Sequence, residues 1–160
     1  MIVKGIIDED FVNYKVASMF ISFHSCTFKC DKMCGKQVCQ NSTLATSPDI
    51  DVDIDYLVNR YMDNPITKAV VLGGLEPFDD IGNMLDFISL LRSKCDDDVV
   101  IYTGYTEDEI KSMFNHCYNK LKSYNNIIIK YGRFVPDEPK HYDSILGVNL
   151  ASSNQYARMI

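Results

Sequence analysis

The chain has 160 residues, of which 46% are hydrophobic and 24% charged, a composition typical of a globular protein large enough to bury a core. Its formal net charge of -6 argues against a nucleic-acid binder, because such proteins present a basic surface. Acidic residues stand where a secretory signal needs an apolar segment, and no later apolar run reaches the length of a membrane span. We therefore expect a cytoplasmic protein that forms one domain over residues 1–160, with neither nucleic acid nor membrane as a partner.

The first predicted strand, Lys15–Phe23, leads directly into a loop that is rich in cysteine. Beyond this loop, helical stretches with apolar residues three or four positions apart alternate with short apolar runs that are typical of buried strands. The predicted elements are a helix over Asp53–Asn64, a strand over Lys68–Gly74, a helix over Asn83–Lys94, a strand over Asp98–Gly104, a helix over Thr106–Leu121 and a strand over Asn126–Gly132.

This alternation predicts an α/β fold with a mostly parallel sheet and crossover helices. Four or five strands are too few for an eight-stranded barrel, so we expect a partial β/α barrel. In such folds the functional loops follow the carboxyl ends of the strands, where this chain carries the cysteine loop, "GGLEPFDD" and "TGYT". We expect these three segments to meet at one edge of the sheet.

The cysteine loop, "SCTFKCDKMCGKQVCQNS", contains Cys26, Cys30, Cys34 and Cys39. Cytosolic thiols are normally reduced, so a dense group of them indicates a metal site rather than disulfides. The charged and polar neighbours argue against free cysteines packed in the core. The spacing suits either a structural zinc ion or an iron-sulfur cluster, and the loop alone leaves both alternatives open.

The other two segments supply candidate binding residues. In "GGLEPFDD" the paired glycines let a ligand approach the backbone, or they simply form a tight turn, and the glutamate can receive an ammonium or hydroxyl group. In "TGYT" the residues that close the third predicted strand line the same pocket or form the turn before the next helix.

The sequence resembles the radical S-adenosylmethionine superfamily in three features. These are the strand that leads into a cysteine loop, the "CQN" that ends the loop and the "GGLEP" after the second strand. More narrowly, "YTGYTEDEI" and "ASSNQYARMI" resemble the activating proteins of anaerobic ribonucleotide reductases, which are glycyl-radical activases. The resemblance extends from about Met19 to the last residues.

The resemblance implies an oxidoreductase with two cofactors, a [4Fe-4S] cluster and S-adenosyl-L-methionine. Its activity is the reductive cleavage of S-adenosylmethionine to a 5'-deoxyadenosyl radical, which installs a glycyl radical on a partner enzyme. The implied partners are an anaerobic ribonucleoside-triphosphate reductase and a low-potential electron donor such as flavodoxin or ferredoxin.

The cysteine loop departs from the family pattern of three cysteines spaced by three and then two residues. Cys26 and Cys30 match the first two ligands, but Met33 occupies the position of the third. The third ligand is then Cys34 or Cys39, and the "CQN" continuation favours Cys39, with Cys34 as a spare thiol nearby. Three protein ligands leave one iron open to the amino and carboxylate groups of S-adenosylmethionine.

The glycine segment also departs from the family motif, which is commonly written Gly-Gly-Glu-Pro, because Leu75 stands as an insertion. The resemblance implies that the glycines and the glutamate hold the ammonium group, and that "TG" lies on the adenosine side. The S-adenosylmethionine site is thus predicted at Gly73, Gly74, Glu76, Pro77, Thr103 and Gly104.

Two alternatives remain. One is a radical S-adenosylmethionine enzyme that modifies another protein or peptide. The other is a non-catalytic module that binds zinc or an iron-sulfur cluster, which explains the cysteines but not "GGLEP". A chain this short has little extra sequence with which to enclose a small substrate, so a macromolecular partner is favoured.

Overall fold

A computed structural model describes all of residues 1–160. It contains a seven-stranded sheet in the order β3-β1-β2-β4-β5-β6-β9, a separate hairpin of β7 and β8, and six α-helices. The strands are β1 (Ile2–Asp10), β2 (Ser18–Phe23), β3 (Ile50–Asp51), β4 (Ala69–Gly74), β5 (Asp98–Tyr102), β6 (Ile127–Tyr131), β7 (His141–Asp143), β8 (Val148–Leu150) and β9 (Tyr156–Met159). The helices are α1 (Lys29–Cys34), α2 (Ser42–Ala45), α3 (Ile54–Met62), α4 (Ile81–Arg92), α5 (Glu107–Met113) and α6 (Asn115–Leu121).

The four central strands β2, β4, β5 and β6 are parallel and lie side by side in chain order. Helices α3, α4 and the pair α5–α6 lie in the connections between them. The antiparallel strands β1 and β3 extend one edge of the sheet, and antiparallel β9 extends the other. The prediction of a parallel sheet with crossover helices is confirmed, and so is the incomplete barrel, since the sheet remains open.

One face of the sheet packs against the helices. Each long helix contributes an apolar stripe, such as Leu57, Val58 and Tyr61 on α3, to a core cluster of 24 residues that includes alternate residues of the central strands. None of the helices is long and apolar enough to span a membrane.

The opposite face is covered by a smaller apolar layer. Tyr14, Leu146 and Leu150 pack there against strand residues such as Val71 and Val100. This layer leaves a cavity towards the carboxyl ends of the parallel strands, where the sequence predicted that the functional segments would meet.

Helix boundaries follow ordinary capping rules. The side chain of Asp53 accepts a hydrogen bond from the backbone of Tyr56 at the start of α3, and Thr106 and Glu109 form a reciprocal capping box at the start of α5. The single helix predicted over Thr106–Leu121 is wrong in one respect, because it breaks at Phe114, whose φ of -124° and ψ of 32° are not helical.

The prediction that Lys15–Phe23 holds the first strand is also wrong, because β1 precedes it and pairs antiparallel with β2. In β1 only Val3 and Asp10 are buried, so the strand lacks the continuous apolar run that marks its parallel neighbours. Strands β7, β8 and β9 near the end of the chain were not predicted either.

Candidate metal centre

The cavity at the carboxyl ends of β2, β4, β5 and β6 has a volume of about 350 Å³. Its wall includes three of the four thiols of the cysteine loop, those of Cys26, Cys30 and Cys39. It also includes residues of both other segments singled out in the sequence, namely Gly74, Glu76, Thr103 and Gly104. The expected meeting of the three segments is therefore present in the structure.

The first half of the cysteine loop is a tight turn followed by a short helix. Cys26 lies three residues beyond β2, and its Sγ accepts a hydrogen bond from the backbone N–H of Phe28 at 3.2 Å. Phe28 has a left-handed backbone (φ 51°) and directly precedes α1, which carries Cys30. This turn brings the second thiol to the same cavity wall as the first.

The second half of the loop folds back over α1. The helix ends at Gly35, whose φ of 64° is the left-handed conformation that glycine adopts readily. One carboxylate oxygen of Asp31 then accepts the backbone N–H groups of Val38 and Cys39, each at 2.8 Å. These two hydrogen bonds place Cys39 beside α1 although it is nine residues later than Cys30 in the chain.

The remaining cysteines lie elsewhere. Cys34 is the last residue of α1 and is not part of the cavity wall. Cys117 is buried in the core between helices and sheet, and Cys95 packs against that core. Of the four cysteines predicted as metal ligands, the structure thus brings three together and leaves Cys34 outside.

The electrostatics of the thiols favour a cation beside them. Burial, together with the neighbouring carboxylates of Glu76 and Asp79, raises the pKa of Cys26 to about 12. Burial and then the neighbouring Cys39 raise the pKa of Cys30 to about 11. Thiols with a raised pKa keep their protons in the absence of a metal, and they release them when a metal binds, because the thiolate is the ligand. No three cysteine, histidine or carboxylate side chains surround a single point closely enough to ligate one ion, so the thiols share a wall rather than a common centre.

Hydrogen bonds tie the cysteine loop to the neighbouring strand ends. The carboxylate of Asp79 accepts the backbone N–H of Thr27 at 2.7 Å and the hydroxyl of Tyr105 at 2.6 Å. The side-chain amide of Asn41 donates to the carbonyl of Gly74 at 2.5 Å. Both ends of the loop are therefore held by the end of β4 and the segment that follows it, and Tyr105, which follows β5, shares the carboxylate of Asp79.

The two glycines that end β4 are needed for the close approach of neighbouring strands. Gly74 has a φ of 78°, and a Cβ there would lie 2.8 Å from the Cβ of Ser22 on β2. A Cβ on Gly73 would lie 3.1 Å from the Cβ of Tyr102 on β5. Gly73 and Pro77, both predicted to bind the cofactor, are not part of the cavity wall.

Glu76 is buried at the cavity wall and joins the end of β4 to the end of β5. One carboxylate oxygen accepts the hydroxyl of Thr103 at 2.8 Å and the backbone N–H of Phe78 at 3.2 Å, and the other accepts the backbone N–H of Gly104 at 2.8 Å. Burial raises its pKa to about 7 despite these donors. A carboxylate accepts about four hydrogen bonds, so one acceptor position is left.

Sequence reasoning missed several residues of the site. Asp31 is one, because it positions the loop but carries no signal that distinguishes it from ordinary surface residues. Asn41 also positions the loop, and it belongs to the "CQN" that the sequence analysis used. Lys130 in β6 is another missed residue, because it lines the cavity. In this case the sequence did hold a signal, namely a lysine inside the apolar run "NIIIKYG".

The fold and the shared wall of thiols are those of an α/β protein with a candidate metal centre. The family described as "4Fe-4S single cluster domain" matches residues 15–156, and the chain belongs to this family. No curated protein and no solved structure matches the chain. The family decides between the two metals that the cysteine loop left open, and the cofactor is an iron-sulfur cluster.

Proposed function

We propose that the protein is a radical S-adenosylmethionine activase. It reductively cleaves S-adenosylmethionine to a 5'-deoxyadenosyl radical and installs a glycyl radical on a partner enzyme, an anaerobic ribonucleoside-triphosphate reductase. The observation that carries this proposal is the shared cavity, in which Cys26, Cys30 and Cys39 face the strand-end segments around Glu76 and Gly104. Membership of a cluster-binding family that occurs in radical S-adenosylmethionine-related proteins also supports it.

The three thiols of the cavity wall fit the role of cluster ligands. Three ligands for a four-iron cluster leave one iron without a protein ligand. When bound, the cluster supplies the electron that breaks a carbon-sulfur bond of S-adenosylmethionine. The role of the protein is to hold the cluster at one wall of the cavity and the substrate against it.

The strand-end segments fit the amino-acid end of the substrate. Glu76 retains one acceptor position at the cavity wall and forms no ion pair with a side chain, so an ammonium group of a ligand can complete its hydrogen bonds. A volume of about 350 Å³ also falls within the range that small-molecule ligands occupy.

The charge of the cysteine loop fits an acidic electron donor such as flavodoxin or ferredoxin. Between Ser25 and Ser42 the chain carries three lysines and one aspartate, although its overall charge is -6. Two of these lysines, Lys32 and Lys36, are exposed, while Asp31 is used within the loop. The loop that carries the thiols is thus net positive on a chain whose overall charge is negative, which favours encounter with a negative partner.

The test is reconstitution with iron and sulfide under strict anaerobiosis, followed by reduction and addition of S-adenosylmethionine. We expect about four irons per chain, as in a cubane cluster, and release of methionine and 5'-deoxyadenosine. Cys26→Ala is the matched control that should lose both iron and cleavage. With the reductase added, electron paramagnetic resonance should detect a glycyl radical.

Two outcomes would contradict parts of the proposal. A protein that takes up four irons but neither binds nor cleaves S-adenosylmethionine is a cluster-binding module and not an activase. Cleavage without a glycyl radical on the reductase would point to a different protein or peptide as the partner.

A further inference from the structure

Tyr105 supports the cysteine loop between the first two predicted metal ligands. It follows β5, is only 4% exposed and lines the same cavity as Cys26 and Cys30. In the loop it engages Thr27 through a carboxylate and Lys29 directly, and both of these residues lie between the two cysteines in sequence. The proposed chemistry gives these contacts no role.

The hydroxyl of Tyr105 reaches the loop through a carboxylate. It donates to one oxygen of Asp79 at 2.6 Å, and the other oxygen accepts the backbone N–H of Thr27 at 2.7 Å. Thr27 is exposed, so this hydrogen bond rather than burial holds its backbone. The bridge therefore fixes the residue that directly follows Cys26.

The aromatic ring of Tyr105 holds the other side of the same turn. The ammonium of Lys29 lies 4.2 Å from the centre of the ring, within the range of a cation–π interaction. The same ammonium lies 3.9 Å from a carboxylate oxygen of Glu109, which the capping box fixes at the start of α5. Lys29 is the first residue of α1 and directly precedes Cys30, so these contacts fix where the helix begins.

The ring of Tyr105 is itself held by the core. The rings of Phe78 and Phe114 pack against it in edge-on arrangements, with centroids 6.5 Å and 5.1 Å away. Phe78 belongs to the main core cluster, and Phe114 packs against that cluster. A loop that buries no side chain of its own thus rests on a residue that the core holds in place.

We propose that Tyr105 is a positioning residue for the iron-sulfur cluster. It holds the residue after the first predicted ligand and the residue before the second, so that Cys26 and Cys30 keep their places at the cavity wall before any metal binds. Such preorganisation strengthens cluster binding, because the cluster does not have to order the turn. The proposal takes these two cysteines as ligands and does not depend on the chemistry of S-adenosylmethionine.

The experiment compares Tyr105→Phe, which removes the hydroxyl and keeps the ring, with Tyr61→Phe. Tyr61 is the matched control, because its hydroxyl also donates to a carboxylate at 2.6 Å, that of Asp97, and it lies outside the cavity wall. Nuclear magnetic resonance measures hydrogen exchange of the Thr27 amide in the cluster-free protein. In the reconstituted protein, loss of visible absorption after addition of an iron chelator under anaerobiosis measures the rate of iron release. Urea unfolding gives the stability of each variant.

We expect Tyr105→Phe to accelerate both exchange of the Thr27 amide and iron release by about three- to tenfold, since one hydrogen bond to a carboxylate is lost. Tyr61→Phe should lower stability to a similar extent but leave both rates within about twofold of the wild type. Tyr105→Leu also removes the ring contact with Lys29 and should release iron faster than Tyr105→Phe.

Unchanged exchange of the Thr27 amide in Tyr105→Phe would overturn the proposal, and so would unchanged iron release. Equal acceleration of exchange throughout β4 and β5 would also overturn it, because Tyr105 would then stabilise the fold rather than the turn. Absence of S-adenosylmethionine cleavage would overturn the proposed function alone, since neither rate depends on that substrate.

Discussion

At the scale of single residues, the position of Cys39 depends on one carboxylate. Asp31 accepts the N–H groups of Val38 and Cys39 and so returns the chain to the cavity after α1 has ended. Cys34, although nearer to Cys30 in sequence, is the last residue of α1 and is not part of the cavity wall. The geometry therefore favours Cys39 as the third ligand.

This gives a prediction for a matched pair of cysteines. Cys39→Ala should lose the cluster, because only two thiols then remain in the cavity wall, whereas Cys34→Ala should keep about four irons and the visible absorption of the cluster. The measurements are iron and sulfide content and the absorption spectrum after anaerobic reconstitution. Retention of the cluster in Cys39→Ala together with its loss in Cys34→Ala would show that α1 rearranges to present Cys34.

The sequence alone could not choose between these two thiols. The spacing of the cysteines gives only their separation along the chain. Which of the two thiols reaches the cavity depends on the left-handed Gly35 and on the hydrogen bonds of Asp31. Lys130 differs, since a lysine inside a strand of isoleucines was visible from the start. The sequence did not show, however, that this lysine lines a cavity, because that depends on the position of the strand in the sheet.

At the scale of secondary structure, the predictable elements were those with a local signal. Strands β4, β5 and β6 are continuous apolar runs, and α3 and α4 repeat apolar residues at helical spacing, so each was placed within a few residues of its observed bounds. Strands β1 and β9 lie outside the parallel strands and are only partly buried, and their pairing with β2 and β6 comes from the tertiary structure. Such strands are hard to recognise because packing, rather than intrinsic preference, determines them.

The junction of β4 with β2 gives the second prediction. Gly74→Ala should destabilise the protein by about 2–4 kcal/mol, because its Cβ would overlap Ser22 and its backbone is left-handed. Gly82→Ala is the control, since that site lies in α4 with nothing within 4 Å of the added carbon. This control should be neutral or slightly stabilising. Urea unfolding of the two variants and the wild type, all without iron, measures both effects.

Equal stability of Gly74→Ala and the wild type would mean that the end of β4 can move away from β2 without cost. In that case "GGLEP" would not require its glycine for the fold. A normal stability combined with lost cofactor binding would assign Gly74 to the ligand alone.

At the scale of the whole molecule, the clustered cysteines and the apolar core are carried by different parts of the chain. No residue from 24 to 56 is buried, and this stretch includes α1, α2 and all four clustered cysteines. The apolar core is built instead from the central strands and from α3 to α6. The segment that carries the predicted metal ligands thus contributes little to the hydrophobic stability of the fold.

We therefore expect metal removal to have a local effect. The protein without its cluster should keep its far-ultraviolet circular dichroism and a cooperative urea transition with a nearly unchanged m-value, because m follows the surface exposed on unfolding. Hydrogen exchange should accelerate mainly over residues 25–47, where hydrogen bonds rather than buried side chains hold the loop. Loss of protection throughout β4, β5 and β6 would show instead that the cluster stabilises the whole fold.

The cavity wall draws its residues from almost the full length of the chain, from Val12 to Gln155. During synthesis the cysteines emerge early, and about 116 residues separate Cys39 from Gln155. At the usual rate of about 5–20 residues per second, roughly 6–23 seconds pass between the synthesis of Cys39 and that of Gln155, the last part of the pocket. Once they have left the ribosome, the nascent thiols are accessible to oxidants for the rest of that interval. We therefore expect cluster delivery to follow completion of the chain, and cells that make this protein to depend on a reducing interior during its translation.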